Sequence, residues 1–169
     1  MVSKNYYQKT TGYPAHLSVG AVLFDSENKV AGLYFQEIKT EDNYFYGLKD
    51  VYFLMRESLE LGETLEQAVY RGLMEEMGAG GEIKAFLGSI KTTFEKNNIP
   101  IEKTTLYFLV KLISFDESRC LEDGDICAEI KWLPIDELIL KMRNQAKRLQ
   151  IDDLDESEIL ERAKVVLGL

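Results

Sequence analysis

The run "TLEQAVYRGLMEEMG", residues 64 to 78, restricts this chain more than any other stretch, because it is a helix fenced at both ends. Thr64 followed three residues later by Gln67 forms a capping box that starts the helix at Leu65, and Gly78 is placed to stop it in the left-handed conformation. On either side the pattern is that of strands. Residues 16 to 24, "HLSVGAVLF", are followed by the turn cluster "DSENK" and by "VAGLYFQE", a hairpin signal. "NYFYGLKDVYFLMRES" offers short aromatic strands before the helix, and "EIKAFLGSIKTTFE" and "TTLYFLVKLISF" two more after it. "EIKWLPIDEL" reads as a strand turning into a helix, "DELILKMRNQAKRL" and "DESEILERAKVVLGL" as helices, the last with acids suited to its N-terminus. A helix inserted between strands, with further helices from about residue 135, predicts an α+β fold in which a mixed β-sheet is flanked by helices.

The length of 169 residues, 46% of them hydrophobic, predicts a single domain over 1–169 with its own core. A net charge of -9 and the lack of any basic stripe exclude bulk nucleic acid as a partner. An acidic protein that handles small anions needs a metal cation or a few placed Arg and Lys. Cys120 and Cys127 lack the spacing and the second pair of a zinc site and read as reduced thiols. No segment approaches the roughly 20 apolar residues of a membrane span. The expectation is a cytoplasmic protein with no membrane partner.

Within the helix, placing Leu65 at zero and advancing 100° per residue puts Leu65, Val69, Leu73 and Met77 on an arc of about 120°, facing the core. Gly72 falls near 340°, Glu75 near 280° and Glu76 near 20°, so the acids border or enter the buried side. Arg71 reaches Glu75 at i+4, but one guanidinium does not satisfy Glu75, Glu76 and the preceding Glu63 together. A charge pair is ordinarily a solvated helix face; paired carboxylates are equally the oxygen ligands that Mg²⁺ and Mn²⁺ prefer.

Glu63, Arg71, Leu73, Glu75, Glu76 and Gly78 stand in the register of the Nudix box, Gly-x5-Glu-x7-Arg-Glu-U-x-Glu-Glu-x-Gly-U with U a bulky apolar residue. The chain therefore resembles the Nudix hydrolase family over residues 57–79, and its strand order outside the box is similar to about residue 140. It departs at Glu57, where the box opens with glycine, at Gly72, where the box has glutamate, and at Ala79, a small version of the last apolar residue. The resemblance implies a Nudix-like α/β/α sandwich. It further implies metal-dependent hydrolysis of a nucleoside diphosphate linked to another group, a pyrophosphate bond being cut by water with Mg²⁺ or Mn²⁺ as cofactor.

By that resemblance Glu75 and Glu76 are metal ligands, and Glu76, Arg71 and Glu63 belong to the catalytic set, Arg71 and Glu63 as the ion pair that aims the carboxylates. A carbonyl of Arg56 or Glu57 would complete the metal shell, and the Arg56 side chain is a candidate for a substrate phosphate, or a surface arginine. With glycine at position 72, the proton acceptor is expected in the loop "CLEDGDICAEIKW", where Glu122, Asp123, Asp125 and Glu129 are candidates against the alternative of a solvated turn. The expected partner is a small-molecule nucleotide substrate, and a homodimer is an admissible assembly. The competing reading is a catalytically impaired Nudix-fold module that binds or senses a nucleotide without cutting it. His16 reads as a packed or capping histidine, and Tyr44, Tyr46, Tyr52 and Trp132 as core aromatics that could stack a base.

Overall fold

The computed structural model describes residues 15–39, 45–96, 98–116 and 128–169. The chain runs β1 (Ala15–Phe24), β2 (Lys29–Glu37), β3 (Lys49–Phe53), β4 (Met55–Ser58), α1 (Leu65–Met77), β5 (Ala79–Lys96) and β6 (Ile99–Phe115). It continues through β7 (Glu129–Pro134), α2 (Ile135–Leu149), a 3-10 turn (Asp152–Leu154) and α3 (Ser157–Leu167). Among the described residues the strands form one sheet with the path β3-β2-β1-β6-β5, β4 pairing β1 and β7 pairing β2. β1 and β6 are parallel and the other pairs antiparallel, so the sheet is mixed as expected.

The hairpin closes where the sequence predicts it and then opens. Asp25 Oδ1 accepts from the backbone N–H groups of Glu27 and Lys29 at 2.8 and 2.9 Å, which ties the turn down. Phe24 pairs with Val30, but farther along β1 is paired with β4, in the register Ser18↔Ser58 to Ala21↔Met55. β2 has meanwhile turned to β3 and β7. This splay makes room beside β1 for the short strand that leads into α1.

Side-chain alternation along β1 divides the core. Val19, Ala21 and Leu23 pack with Met55 and with Ala68, Val69, Leu73 and Met77 of α1. Val22 and Phe24 pack with Leu138 and Met142 of α2 and with Ile159 and Leu160 of α3. Helices therefore cover both faces of the sheet, the α/β/α arrangement.

The caps of α1 are those expected. Thr64 Oγ1 accepts from the Gln67 N–H at 3.2 Å, the Gln67 side chain accepts from the Thr64 N–H at 2.9 Å, and Gly78 adopts φ 60°. The start of α3 differs from expectation. Asp155 caps the Ser157 N–H at 3.0 Å, but Glu156 turns inward, is 1% exposed, and accepts from the Leu54 N–H at 2.8 Å and from the Tyr107 hydroxyl. Among the described residues no helix is long and apolar enough to cross a membrane.

Candidate active site

Arg71 sits at the junction of α1, β4 and the intervening loop. Its Nε and Nη2 donate to Glu63 Oε1 and Oε2 at 3.0 Å each, a bidentate fork, while Nη2 also donates to the Ser58 carbonyl at 2.8 Å. Nη1 donates to Glu75 Oε2 at 3.1 Å and lies 3.4 Å from Glu57 Oε2. Glu63 additionally accepts from the Glu60 N–H at 3.0 Å, closing the loop on itself. Arg71 holds the Glu63 carboxyl below the usual range, and Glu63 in turn raises the guanidinium. The Arg71–Glu75 contact expected from i,i+4 spacing and the Arg71–Glu63 pair implied by the resemblance are both formed.

Glu75 and Glu76 are exposed residues, so the helical wheel places Glu76 too deep. The inward residues of α1 are Ala68, Val69, Gly72, Leu73 and Met77; by angle Glu76 falls within their arc, yet it is exposed. Although much of Glu76 meets solvent, the protein around its carboxyl desolvates it, and the charges of Glu57 and Glu75 add to this, pushing its pKa up. Arg71 meets the Glu57, Glu63 and Glu75 carboxylates at once, and Lys103 adds positive charge within electrostatic reach of Glu57. The donors are all carboxylate oxygens and the cluster keeps an excess of negative charge, which fits a hard divalent cation. In this conformation the described His, Cys, Asp and Glu side chains do not form a closed group of three or more around a metal position.

Gly72 meets β4 with almost no gap. A Cβ at this position would lie 2.7 Å from Glu57 Cβ and 2.7 Å from Met55 Sδ. A side chain at position 72 would therefore require Met55 or β4 to shift, so packing bears on this position beside any chemical role.

Arg56 lies one residue from Glu57 and, by strand alternation, on the opposite face. It is a half-buried strand residue, not a loop one. Its guanidinium stands 3.7 Å from Glu156 and 4.9 Å from the centre of the Phe53 ring. Lys103, which the motif reading passed over, lies on β6 within electrostatic reach; burial first, then the charge of Arg56, lowers its pKa to about 8. The signal for it was weak: one lysine in a strand pattern. His16 Nε2 is 3.1 Å from Ser58 Oγ, a packed histidine as expected. Glu129 begins β7, pairs with Lys131 at 3.3 Å and lines a cavity of about 500 Å³ with Tyr34, Lys49 and Asp50, apart from the contacts of Arg71. Glu122, Asp123, Asp125, Tyr44 and both cysteines lie outside the described residues. Tyr46 is 56% exposed, whereas Trp132 packs edge-on against Phe115.

The α/β/α sandwich, with a glutamate-rich loop and helix gathered on one arginine, has the arrangement that the resemblance to the box implies. The NUDIX domain profile matches residues 14–154, and the chain belongs to the NUDIX family. Over 99 residues it is 33% identical to "Putative mutator protein MutT4" of Mycobacterium tuberculosis (strain CDC 1551 / Oshkosh), a match covering 58% of this chain and 38% of that relative's length. The fold is similar to that of a NUDIX hydrolase from Nitrosomonas europaea, with a TM-score of 0.65, 22% identity and 90% of each chain covered. It is also similar to the MutT protein from Methanosarcina mazei Go1, with a TM-score of 0.60, 16% identity, and 95% of this chain and 100% of that one covered.

Proposed function

We propose that this chain hydrolyses a nucleoside diphosphate linked to another group, cutting the pyrophosphate with water in the presence of Mg²⁺ or Mn²⁺. The observation that carries the reading is the Arg71 fork, which ties Glu63 and the Ser58 carbonyl to α1 and sets Glu75 beside the strand end. Glu75 and Glu76 would hold the cation, with a carbonyl of Arg56 or Glu57 beside them. The cation would draw charge from the pyrophosphate oxygens and lower the pKa of water. Arg71 and Glu63 orient the carboxylates without touching the substrate. Arg56 and Lys103 offer positive charge to substrate phosphates. The proton of the attacking water is accepted by one of Glu122, Asp123, Asp125 and Glu129. The setting proposed is cytoplasmic.

The glycine at position 72 favours a second reading, a module that binds the nucleotide without cutting it. Incubation with a panel of nucleoside diphosphate derivatives and Mg²⁺ or Mn²⁺, with separation of the products, discriminates the two. Hydrolysis predicts a nucleoside monophosphate and the phosphorylated second group. Saturable nucleotide binding with no product across the panel would favour the module.

A further inference from the structure

The two strong departures from the box are reciprocal: glutamate at position 57 where the pattern has glycine, and glycine at position 72 where it has glutamate. In the structure these positions face each other across the contact between β4 and α1. A Cβ at Gly72 would stand 2.7 Å from Glu57 Cβ and 3.3 Å from its Cγ, so the contact has room for one of the two side chains and not both. The Glu57 carboxylate is half-buried, its side chain 17% exposed, a costly place for a charge unless something cationic needs it. Its Oε2 is 3.4 Å from Arg71 Nη1, the same nitrogen that donates to Glu75 Oε2 at 3.1 Å. One guanidinium nitrogen thus holds the Glu57 and Glu75 carboxylates side by side.

We propose that Glu57 is the displaced glutamate of the box: it supplies from the strand the carboxylate that the helix lacks at Gly72, and it ligates the same divalent cation as Glu75 and Glu76. The proposal rests on the hydrolase reading above. The chain has moved one ligand across a packing contact and kept the glutamate count of the box. Arg71 holds that ligand in reserve near Glu75 when no cation draws it away.

The test compares wild type, Glu57→Gln, Gly72→Glu and the exchange variant Glu57→Gly with Gly72→Glu. Mn²⁺ binding is read by electron paramagnetic resonance without substrate, turnover on the nucleotide panel, and folding by circular dichroism. Glu57→Gln keeps the shape and an acceptor for the Ser58 N–H, so it should fold. It should bind Mn²⁺ at least tenfold more weakly and turn over at least a hundredfold more slowly. Gly72→Glu alone should melt below wild type, and the exchange variant should recover Mn²⁺ affinity and turnover to within about tenfold of wild type. A folded Glu57→Gln protein with wild-type Mn²⁺ affinity and turnover would overturn this proposal and leave the hydrolase reading standing. A folded exchange variant as impaired as Glu57→Gln would overturn it likewise. If the exchange variant does not fold, the Glu57→Gln result decides. A wild-type protein that neither binds Mn²⁺ nor releases product would remove both.

Discussion

At Arg71 one guanidinium faces Glu63, Glu75, Glu57 and the Ser58 carbonyl, so truncating it leaves several carboxylates crowded without a counter-charge. Arg71→Ala should lower stability by about 2–3 kcal/mol, measured by urea unfolding, because removing one partner of a hydrogen-bonded charge network costs more than the net worth of the pair. Arg71→Lys should recover only part of this, since an ammonium cannot fork to both oxygens of Glu63. Glu76 behaves in the opposite way. Its pKa in the folded chain is raised by desolvation and by Glu57 and Glu75, so the folded chain holds this proton more tightly than the unfolded chain does. Its favourable contribution is complete below the ordinary value of 4.5 and is lost as pH rises through the folded value. Glu76→Gln should therefore melt above wild type at pH 7, and the difference should shrink as pH falls through the raised folded value and be gone below about 4.5, read from thermal melts at a series of pH values. A constant difference across pH would show that the charge of Glu76 is not the cause. The same variant should lose hydrolysis.

At the scale of the helix, α1 carries two conflicting instructions at Gly72. Helix propensity favours alanine over glycine by about 1 kcal/mol, whereas a Cβ would press on Glu57 and Met55. Overpacking of this kind costs about 1–3 kcal/mol. Gly72→Ala should therefore destabilise the protein modestly on urea unfolding, and a gain in stability would show that α1 and β4 have room to separate. Gln67, Thr64 and Gly78 were legible because capping depends on residues within one turn. The Arg71–Glu75 contact was legible because residues four apart on a helix are neighbours, and the Arg71–Glu63 contact only through the resemblance to the box. The Gly72–Glu57 contact was not, since it exists only once β4 has paired with β1 and α1 has packed on it.

Across the whole molecule, Glu156 joins elements that are distant in the chain. From the start of α3 it accepts from Leu54 between β3 and β4, accepts from Tyr107 on β6, and stands 3.7 Å from Arg56. Burial, and then the charge of Glu156, drive the Tyr107 hydroxyl well above its ordinary pKa. Glu156→Ala should cost about 3–5 kcal/mol, because it leaves a hydroxyl, an N–H and a guanidinium without their buried partner. Tyr107→Phe should cost about 1 kcal/mol, since Glu156 keeps its other donor. Equal, small losses for the two variants in urea would show that Glu156 does not bind these elements together.

By itself the sequence determined the alternation of strand and helix patterns, both caps of α1, the register of Glu63, Arg71, Glu75 and Glu76, and through these the family. All are relations between near neighbours in the chain, where helical and strand periods act directly. Only the tertiary structure decided that Glu156 turns inward, that Glu57 is the β4 residue facing α1, and that it occupies the space Gly72 leaves. Those outcomes depend on which strands pair and which faces pack. They are contacts between groups whose separation in sequence carries no information about their meeting.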